Sequence, residues 1–258
     1  MFKNIYPLFE SKCLLKKEML ENLRDYPRSI IQILCQDYSD GIITGCELSV
    51  VNHEIIISPG ILCFKGVLYI LEKLWKVEYK ATGKVTFLKV KFFDEIVENG
   101  QEVYSSQVYL DETTPNASCE IELTRFKLQP GSRLRVGYTD FSDFNTEFDT
   151  INRIYVPFAS FRKHSLYPQI LRAFSNELIR YPIQNPWDYA FILNCVKLHT
   201  AMPYDEIQSY LNLRLENKQK EYSNIEIYNA LSDILTEAKG EKTRGRRTEK
   251  GDRKLLLI

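Results

Sequence analysis

Histidine, a common metal ligand and general base, occurs three times in this chain. His53, His164 and His199 stand far apart. None has a His, Cys, Asp or Glu three or four residues after it, and none sits in an H-E-x-x-H pattern. We interpret them as surface or helix-end residues and expect neither a metal site nor a histidine base.

Four carboxylates alternate with three phenylalanines in one short segment, where they could bind calcium or form an acid-base pair. The seven residues are Asp140, Phe141, Asp143, Phe144, Glu147, Phe148 and Asp149. The segment lacks the central glycine and the spacing of an EF-hand loop. We interpret it as a solvated acidic connection that aromatic side chains anchor.

Two glycines near the C-terminus, Gly240 and Gly245, have the spacing found in a phosphate-binding loop. Arg246 and Arg247 stand where that loop needs lysine and a magnesium-binding hydroxyl. A predicted helix precedes the segment, whereas such a loop must join a strand to a helix. With no G-x-S-x-G elbow and no cysteine in a nucleophile motif, we predict no enzyme activity and no cofactor. An enzyme whose site is assembled only in the fold remains the weaker alternative.

The cysteines give no sign of metal or redox chemistry. There are six, at Cys13, Cys35, Cys46, Cys63, Cys119 and Cys195. They form no C-x-x-C pair, and most lie in apolar runs. We therefore expect reduced, structural thiols.

The composition is that of a folded protein with large contact surfaces. In 258 residues, 44% are hydrophobic and 26% charged, which argues against disorder. Sixteen tyrosines and fourteen phenylalanines favour strands and interfaces, because aromatic side chains bury much area at little entropic cost. Basic and acidic residues balance at 34 each, so the whole chain has no net charge that would attract nucleic acid.

The charges are not evenly distributed along the chain, because the C-terminal tail is basic. The stretch from Gly240 to Lys254 contains seven basic and three acidic residues, and a nucleic-acid-binding role for it is our alternative hypothesis. An apolar tip follows that a lone monomer has little reason to display. The candidate interaction residues in the tail and tip are Arg244, Arg246, Arg247, Leu255, Leu256, Leu257 and Ile258.

The N-terminus lacks the apolar core of a signal peptide, and no run approaches the roughly 18 apolar residues of a membrane span. We expect a protein made and kept in the cytoplasm, at least at first, with no membrane span.

Hydrophobic spacing predicts an α+β protein. Its parts are a helical lead-in over 1–38, an antiparallel β region over 39–160, a helical region over 161–239 and the tail over 240–258. In the lead-in, apolar spacing over 12–24 predicts an amphipathic helix that ends near Pro27, and a second short element spans 29–34.

The β region reads as a meander or a sandwich-like arrangement of short strands. Turn signals separate the runs predicted as strands, which are 42–51, 54–58, 61–64, 67–71, 85–93, 102–110 and 119–128. The helical region should contain four helices that pack as a small bundle, the first with Ile170, Leu171, Phe174, Leu178 and Ile179 on one face. The last opens on the capping-box pattern Ser223 to Glu226 and ends at Gly240.

Three short segments resemble the N-terminal module of baseplate and tail-fibre-associated proteins of contractile phage tails and phage-tail-like bacteriocins. They are Asp37–Leu48 (DYSDGIITGCEL), Ile55–Ile61 (IIISPGI) and Gly66–Tyr69 (GVLY). In those proteins a glycine-flanked strand pairs with a strand carrying a Ser-Pro-Gly sequence. The helical lead-in that begins at Tyr6 also fits, so the resemblance covers about the first 75 residues.

The resemblance implies a structural role without an active site. It implies an adaptor between the baseplate and fibres or neighbouring baseplate proteins, present in several copies as a homo-oligomer or in a symmetric assembly. The expected partners are other baseplate or tail-fibre proteins. The expected location is the bacterial cytoplasm during assembly and then the phage or bacteriocin particle.

Overall fold

The computed structural model describes residues 4–9, 14–98, 100–216 and 220–240. The fold is α+β, as predicted, with five helices and antiparallel sheets in this part of the chain. The candidate interaction residues of the tail and tip, Arg244, Arg246, Arg247 and Leu255 to Ile258, lie outside the described residues.

The lead-in contains one long helix, α1, from Lys17 to Cys35. The predicted end near Pro27 is wrong, because the helix continues through this proline. A proline inside a helix removes one backbone hydrogen bond and costs about 3 kcal/mol. The apolar spacing nevertheless continues on the same face beyond Pro27, at Ile30 and Leu34, so a single helix keeps all its apolar residues on one side.

Six short strands follow. They are β1 (Gly41–Gly45), β2 (Leu48–Val51), β3 (Glu54–Ile57), β4 (Gly60–Phe64), β5 (Val67–Leu71) and β6 (Trp75–Glu78). They form two sheets, ordered β1-β4-β5 and β2-β3-β6, so the predicted meander is wrong. The predicted strand over 42–51 is broken at Cys46, whose φ is 53°. The turn signals between the predicted strands include Asn52-His53 and Lys65-Gly66, which form the hairpin turns between β2 and β3 and between β4 and β5.

A second group of strands completes the β region. It comprises β7 (Val85–Phe92), β8 (Ile96–Glu98), β9 (Gln101–Val103), β10 (Ser106–Asp111) and β11 (Glu120–Lys127). Strand β7 is the centre of the sheet β10-β7-β11, and β8 and β9 form a separate hairpin. The predicted strand over 102–110 is in fact two strands, and β6 and β8 were not predicted.

Four helices form the second half, as predicted. They are α2 (Pro168–Leu178), α3 (Pro186–Val196), α4 (Tyr204–Arg214) and α5 (Asn224–Ala238). Helix α2 packs on α3 and α5, and α4 packs on the same two helices. The predicted capping box at Ser223 and the glycine end at Gly240, with φ 74°, are confirmed. Ile179 is 60% exposed, so its predicted place on the buried face of α2 is wrong.

The core is continuous from the strands to the helices. Buried side chains of both halves belong to one cluster, in which Phe141 stacks on Tyr228 at 4.7 Å between ring centres. The hydroxyl of Tyr228 also donates to the carbonyl of Phe141. The predicted anchoring of the acidic segment by aromatic side chains is therefore confirmed at Phe141, and also at Phe144, which is buried.

Candidate assembly interface

Helix α1 turns its apolar residues toward solvent. It contains no buried residue, whereas α5, of similar length, buries seven. Leu23, Ile33 and Leu34 are 53%, 65% and 71% exposed. The other large apolar residues of the helix that are exposed are Leu20, Tyr26, Ile30 and Ile31. An apolar face that is exposed along the length of a surface helix is typical of an interaction site.

The polar face of α1 is the one that faces the rest of the molecule. Arg24, Arg28 and Gln32 line a cleft of about 720 Å³ whose other wall is the β8–β9 hairpin, with Glu102 and Tyr104. In an ordinary surface helix the apolar stripe faces the core and the charges face water. The reversed orientation leaves the apolar stripe free to contact another molecule.

The segment before α1 has the same character. Ile5, Tyr6, Leu8 and Phe9 are all at least half exposed, as are Leu14 and Leu15. We call residues 4–9 and 14–35 together the N-terminal arm. Its exposed apolar side chains are too numerous to be the scattered single residues that are normal on a surface.

The arm joins the body at its C-terminal end. The backbone N–H of Ser39 donates to the carbonyl of Ser160 at 3.0 Å, and the N–H of Arg162 donates to the carbonyl of Asp37 at 2.7 Å. These bonds tie the chain directly after α1 to the segment that leads into the helical half. The arm is thus fixed at one end beside β1.

The glycine motif that carries the resemblance is a close-packed joint. Strand β1 pairs with β4, with Gly45 opposite Gly60, so the predicted pairing of these two segments is confirmed. A Cβ atom on Gly45 would lie 2.1 Å from the carbonyl oxygen of Pro59, and one on Gly60 would lie 2.5 Å from the backbone nitrogen of Cys46. Only glycine fits at this approach of two backbones.

Glu47, which directly follows this joint, connects it to both halves of the molecule. Its carboxylate accepts from the Arg153 guanidinium at 3.1 Å and from the Tyr167 hydroxyl at 2.8 Å. Arg153 is 2% exposed, and it stacks over the ring of Tyr167 at 4.3 Å while donating to the carbonyl of Cys46. Glu47 therefore connects the end of β1 to Arg153 and to Tyr167, the residue directly before α2.

The described cysteines are placed as structural thiols. Cys46, Cys63 and Cys195 are buried, and no described cysteine forms a disulfide. Burial raises the pKa of the Cys46 thiol to about 11 and that of Cys195 to about 12. A thiol with a raised pKa is a poor nucleophile at neutral pH, because little thiolate is present.

The acidic segment pairs with basic side chains. Arg135 donates to both carboxylate oxygens of Asp143 and holds the pKa of that carboxyl well below its usual range. The Lys127 ammonium lies 2.9 Å from a carboxylate oxygen of Glu147. Within the described ranges, no group of three or more His, Cys, Asp or Glu side chains could hold a metal ion.

Sequence reasoning missed the arm as an interface. The helical spacing of its apolar residues was visible, but spacing alone predicts a helix that packs on its own core.

No helix in the described part of the chain combines the length and hydropathy needed to cross a bilayer.

No protein-family model matches the chain, and no curated protein is significantly similar to it. Among solved structures, the chain is similar to a crystal structure of TssK, with 7% identity and a TM-score of 0.42, covering 90% of this chain and 71% of that one. It is also similar to a chain of the type VI secretion system TssK-TssF-TssG baseplate subcomplex. That match has 9% identity and a TM-score of 0.40, and it covers 90% of this chain and 99% of that one. Likeness at this level carries no functional conclusion.

Proposed function

We propose that this chain is a non-catalytic structural component of a contractile tail baseplate, in a phage or a phage-tail-like bacteriocin. In this role it is an adaptor between the baseplate and fibres or neighbouring baseplate proteins. The observation that carries the proposal is the N-terminal arm, which exposes its apolar face and faces its own body with its polar face.

The arm supports an assembly role because α1 is not stable on its own. Isolated helices are marginal in water even without an interior proline, and in proteins most helical stability comes from packing of the apolar face. Helix α1 contains Pro27 and buries none of its residues. A contact with another molecule supplies the missing packing.

The arm is also attached to the body at a place where the surrounding segments are held together. It leaves the body beside the glycine joint, where Glu47, Arg153 and Tyr167 hold strand and helical segments together. An adaptor needs such a fixed relation between its docking segment and its core. A loosely attached arm would bind a partner without fixing how the body is oriented relative to that partner.

The kind of assembly is inferred from the sequence resemblance of Asp37–Leu48 and Ile55–Ile61 to modules of contractile tails. The glycines of these segments sit where two backbones meet, so the resemblance lies in residues that determine the local fold. The raised pKa of the buried thiols and the paired state of the acidic segment are consistent with a chain that holds parts together and catalyses nothing.

The test is to induce the producing bacterium, purify sedimenting particles on a gradient and quantify this chain by mass spectrometry. We expect stoichiometric amounts together with sheath and tube proteins. If the chain stays in the soluble fraction while sheath and tube proteins sediment, the baseplate role is wrong.

Deletion variants separate the two candidate docking segments. Removing residues 1–35 should abolish incorporation into particles. Removing Lys254 to Ile258 tests the apolar tip, and normal particles from that strain would show that the tip is not a docking arm.

The alternative is a nucleic-acid-binding accessory protein that uses its basic tail. It predicts DNA binding that weakens steeply with salt, because each neutralised phosphate releases counterions. That binding should be lost when residues 240–254 are removed. Under this alternative, the natural chain should be absent from purified particles.

A further inference from the structure

Helix α1 carries a seam with the repeat of a coiled coil. Five residues follow one another at alternating spacings of three and four, namely Leu20, Leu23, Pro27, Ile30 and Leu34. A seven-residue repeat of this kind keeps one stripe of a helix facing a partner helix with the same repeat. The four leucine and isoleucine side chains of the seam are between 43% and 71% exposed.

The seam is flanked by further apolar residues. Tyr26 and Ile33 border it on one side and Ile31 on the other. All charged residues of the helix lie in its first twelve positions, and the stretch from Ser29 to Cys35 contains none. A helix end without charge that is exposed to water is suited to burial against another apolar helix.

The rest of the described chain offers no partner for this seam. Helices α2, α4 and α5 bury their large apolar residues in the core, apart from Leu213 of α4. The exposed apolar residues of α3, which are Trp187, Tyr189, Leu193 and Val196, span fewer than three turns. The helix that matches α1 in repeat and length is α1 itself, in a second copy of the chain.

We propose that the seam of α1 associates with the same seam in other copies of this chain, so that the N-terminal arms join two or more copies into a homo-oligomer. This deepens the proposed function, because it identifies the occupant of the arm's apolar face. It rests on the assembly role and does not depend on which kind of particle contains the oligomer.

The contact has the length of a short coiled coil, because a helix of 19 residues is about 28 Å long. With the exposed apolar residues at 5–9 and 14–15, the arm offers a partner thirteen large exposed apolar side chains. The body can still present its other surfaces to different proteins, since the arm borders it at the polar cleft.

The experiment compares the full chain with two double variants in sedimentation velocity at about 10 µM, a concentration at which an association with a Kd of about 1 µM or below is mostly formed. Leu23→Asp with Ile30→Asp places two carboxylates in the seam. Ser29→Asp with Gln32→Asp adds the same number of charges to the polar face, in the turn that contains Ile30. We expect the natural chain and the polar-face variant to sediment as oligomers and the seam variant as a monomer, because a carboxylate buried in an apolar contact has no partner.

Folding of the seam variant is checked by thermal unfolding, which should match that of the natural chain measured as a monomer at high dilution, since α1 contributes nothing to the core. A natural chain that is monomeric at this concentration would overturn the proposal. So would a seam variant that keeps the mass of the oligomer.

The outcomes also separate this inference from the proposed function. If the chain is found in particles but the seam variant still forms oligomers, the baseplate role stands and the seam is wrong. If the seam variant is monomeric but the natural chain is absent from particles, self-association stands and the baseplate role is wrong.

Discussion

The guanidinium of Arg153 lies 3.1 Å from a carboxylate oxygen of Glu47 and pairs two segments of the chain that are 106 residues apart. Arg153 is almost completely buried, whereas about half of the Glu47 side chain is exposed. The same carboxylate accepts the Tyr167 hydroxyl. One exposed acidic residue therefore accepts hydrogen bonds from two buried donors. The connection between the end of β1 and the helical half depends on this residue.

Replacing Glu47 should cost more than replacing an exposed ion-pair residue. Glu47→Ala leaves the Tyr167 hydroxyl without its acceptor and the Arg153 guanidinium with only the Cys46 carbonyl. We expect the free energy of unfolding to fall by about 2 kcal/mol. The half-exposed carboxylate is screened by water, so the loss stays below that of a fully buried pair. Denaturant unfolding measures it.

The control is Glu112→Ala. Glu112 pairs with Lys84, whose side chain is 71% exposed. Such a pair contributes little, because water screens both charges. We expect no measurable change in the denaturant midpoint. Equal losses in the two variants would mean that Glu47 does not support the joint.

The glycine joint predicts a difference between two Gly→Ala variants. Gly45 and Gly66 have nearly the same φ, 69° and 75°, so alanine pays the same backbone strain at both, about 1 kcal/mol. A Cβ at position 45 also meets the Pro59 carbonyl at 2.1 Å, whereas one at position 66 meets nothing within 4 Å. We expect Gly45→Ala to cost at least about 3 kcal/mol and Gly66→Ala about 1 kcal/mol, measured by unfolding. Similar costs would contradict the close approach of β1 and Pro59.

Local features could be predicted from the sequence, because the interacting residues are close in the chain. The capping box joins Ser223 and Glu226, three residues apart, and the turn at Asn52-His53 joins adjacent strands. The pairing of Arg153 with Glu47 has no such local signal. The break at Cys46, which moves the chain from one sheet to the other, depends on how the two sheets pack.

The candidate site was predictable only in part. The apolar spacing of α1 was visible, but Pro27 indicated a helix end, because a proline inside a helix is unfavourable. Spacing also does not say which face of a helix meets the body. The exposure of the apolar side chains, together with the placement of Arg28 and Gln32 beside the β8–β9 hairpin, shows that the apolar face is turned outward.

Removing Pro27 should strengthen α1. Pro27→Ala restores the backbone hydrogen bond to the carbonyl of Leu23 and removes the clash of the proline ring. We expect a larger helical signal in far-UV circular dichroism, and tighter self-association by about tenfold or more. Pro168→Ala is the control, because Pro168 occupies the start of α2, where proline is favourable. If Pro27→Ala leaves both readouts unchanged, α1 does not run through this position as one helix.

The cap of α5 makes a prediction about pH. The backbone N–H and the hydroxyl of Ser223, together with the Lys220 ammonium, lower the pKa of Glu226 to about 2. A carboxyl whose pKa is lower in the folded state than in the unfolded state stabilises the fold above the unfolded pKa, here about 4.5. That contribution is lost as the pH falls through the folded pKa. NMR titration of the Glu226 carboxyl should therefore give a midpoint near 2.

The stability measurement uses Glu226→Gln, which keeps an acceptor oxygen but cannot titrate. The difference in unfolding free energy between the natural chain and this variant should be constant above about pH 4.5 and should shrink toward pH 2. The same comparison in a Ser223→Ala background should show a smaller pH dependence, because the hydroxyl donor is absent while the backbone donor remains. An NMR midpoint near 4.5, or a difference that does not change with pH, would show that Glu226 is not held by the cap in solution.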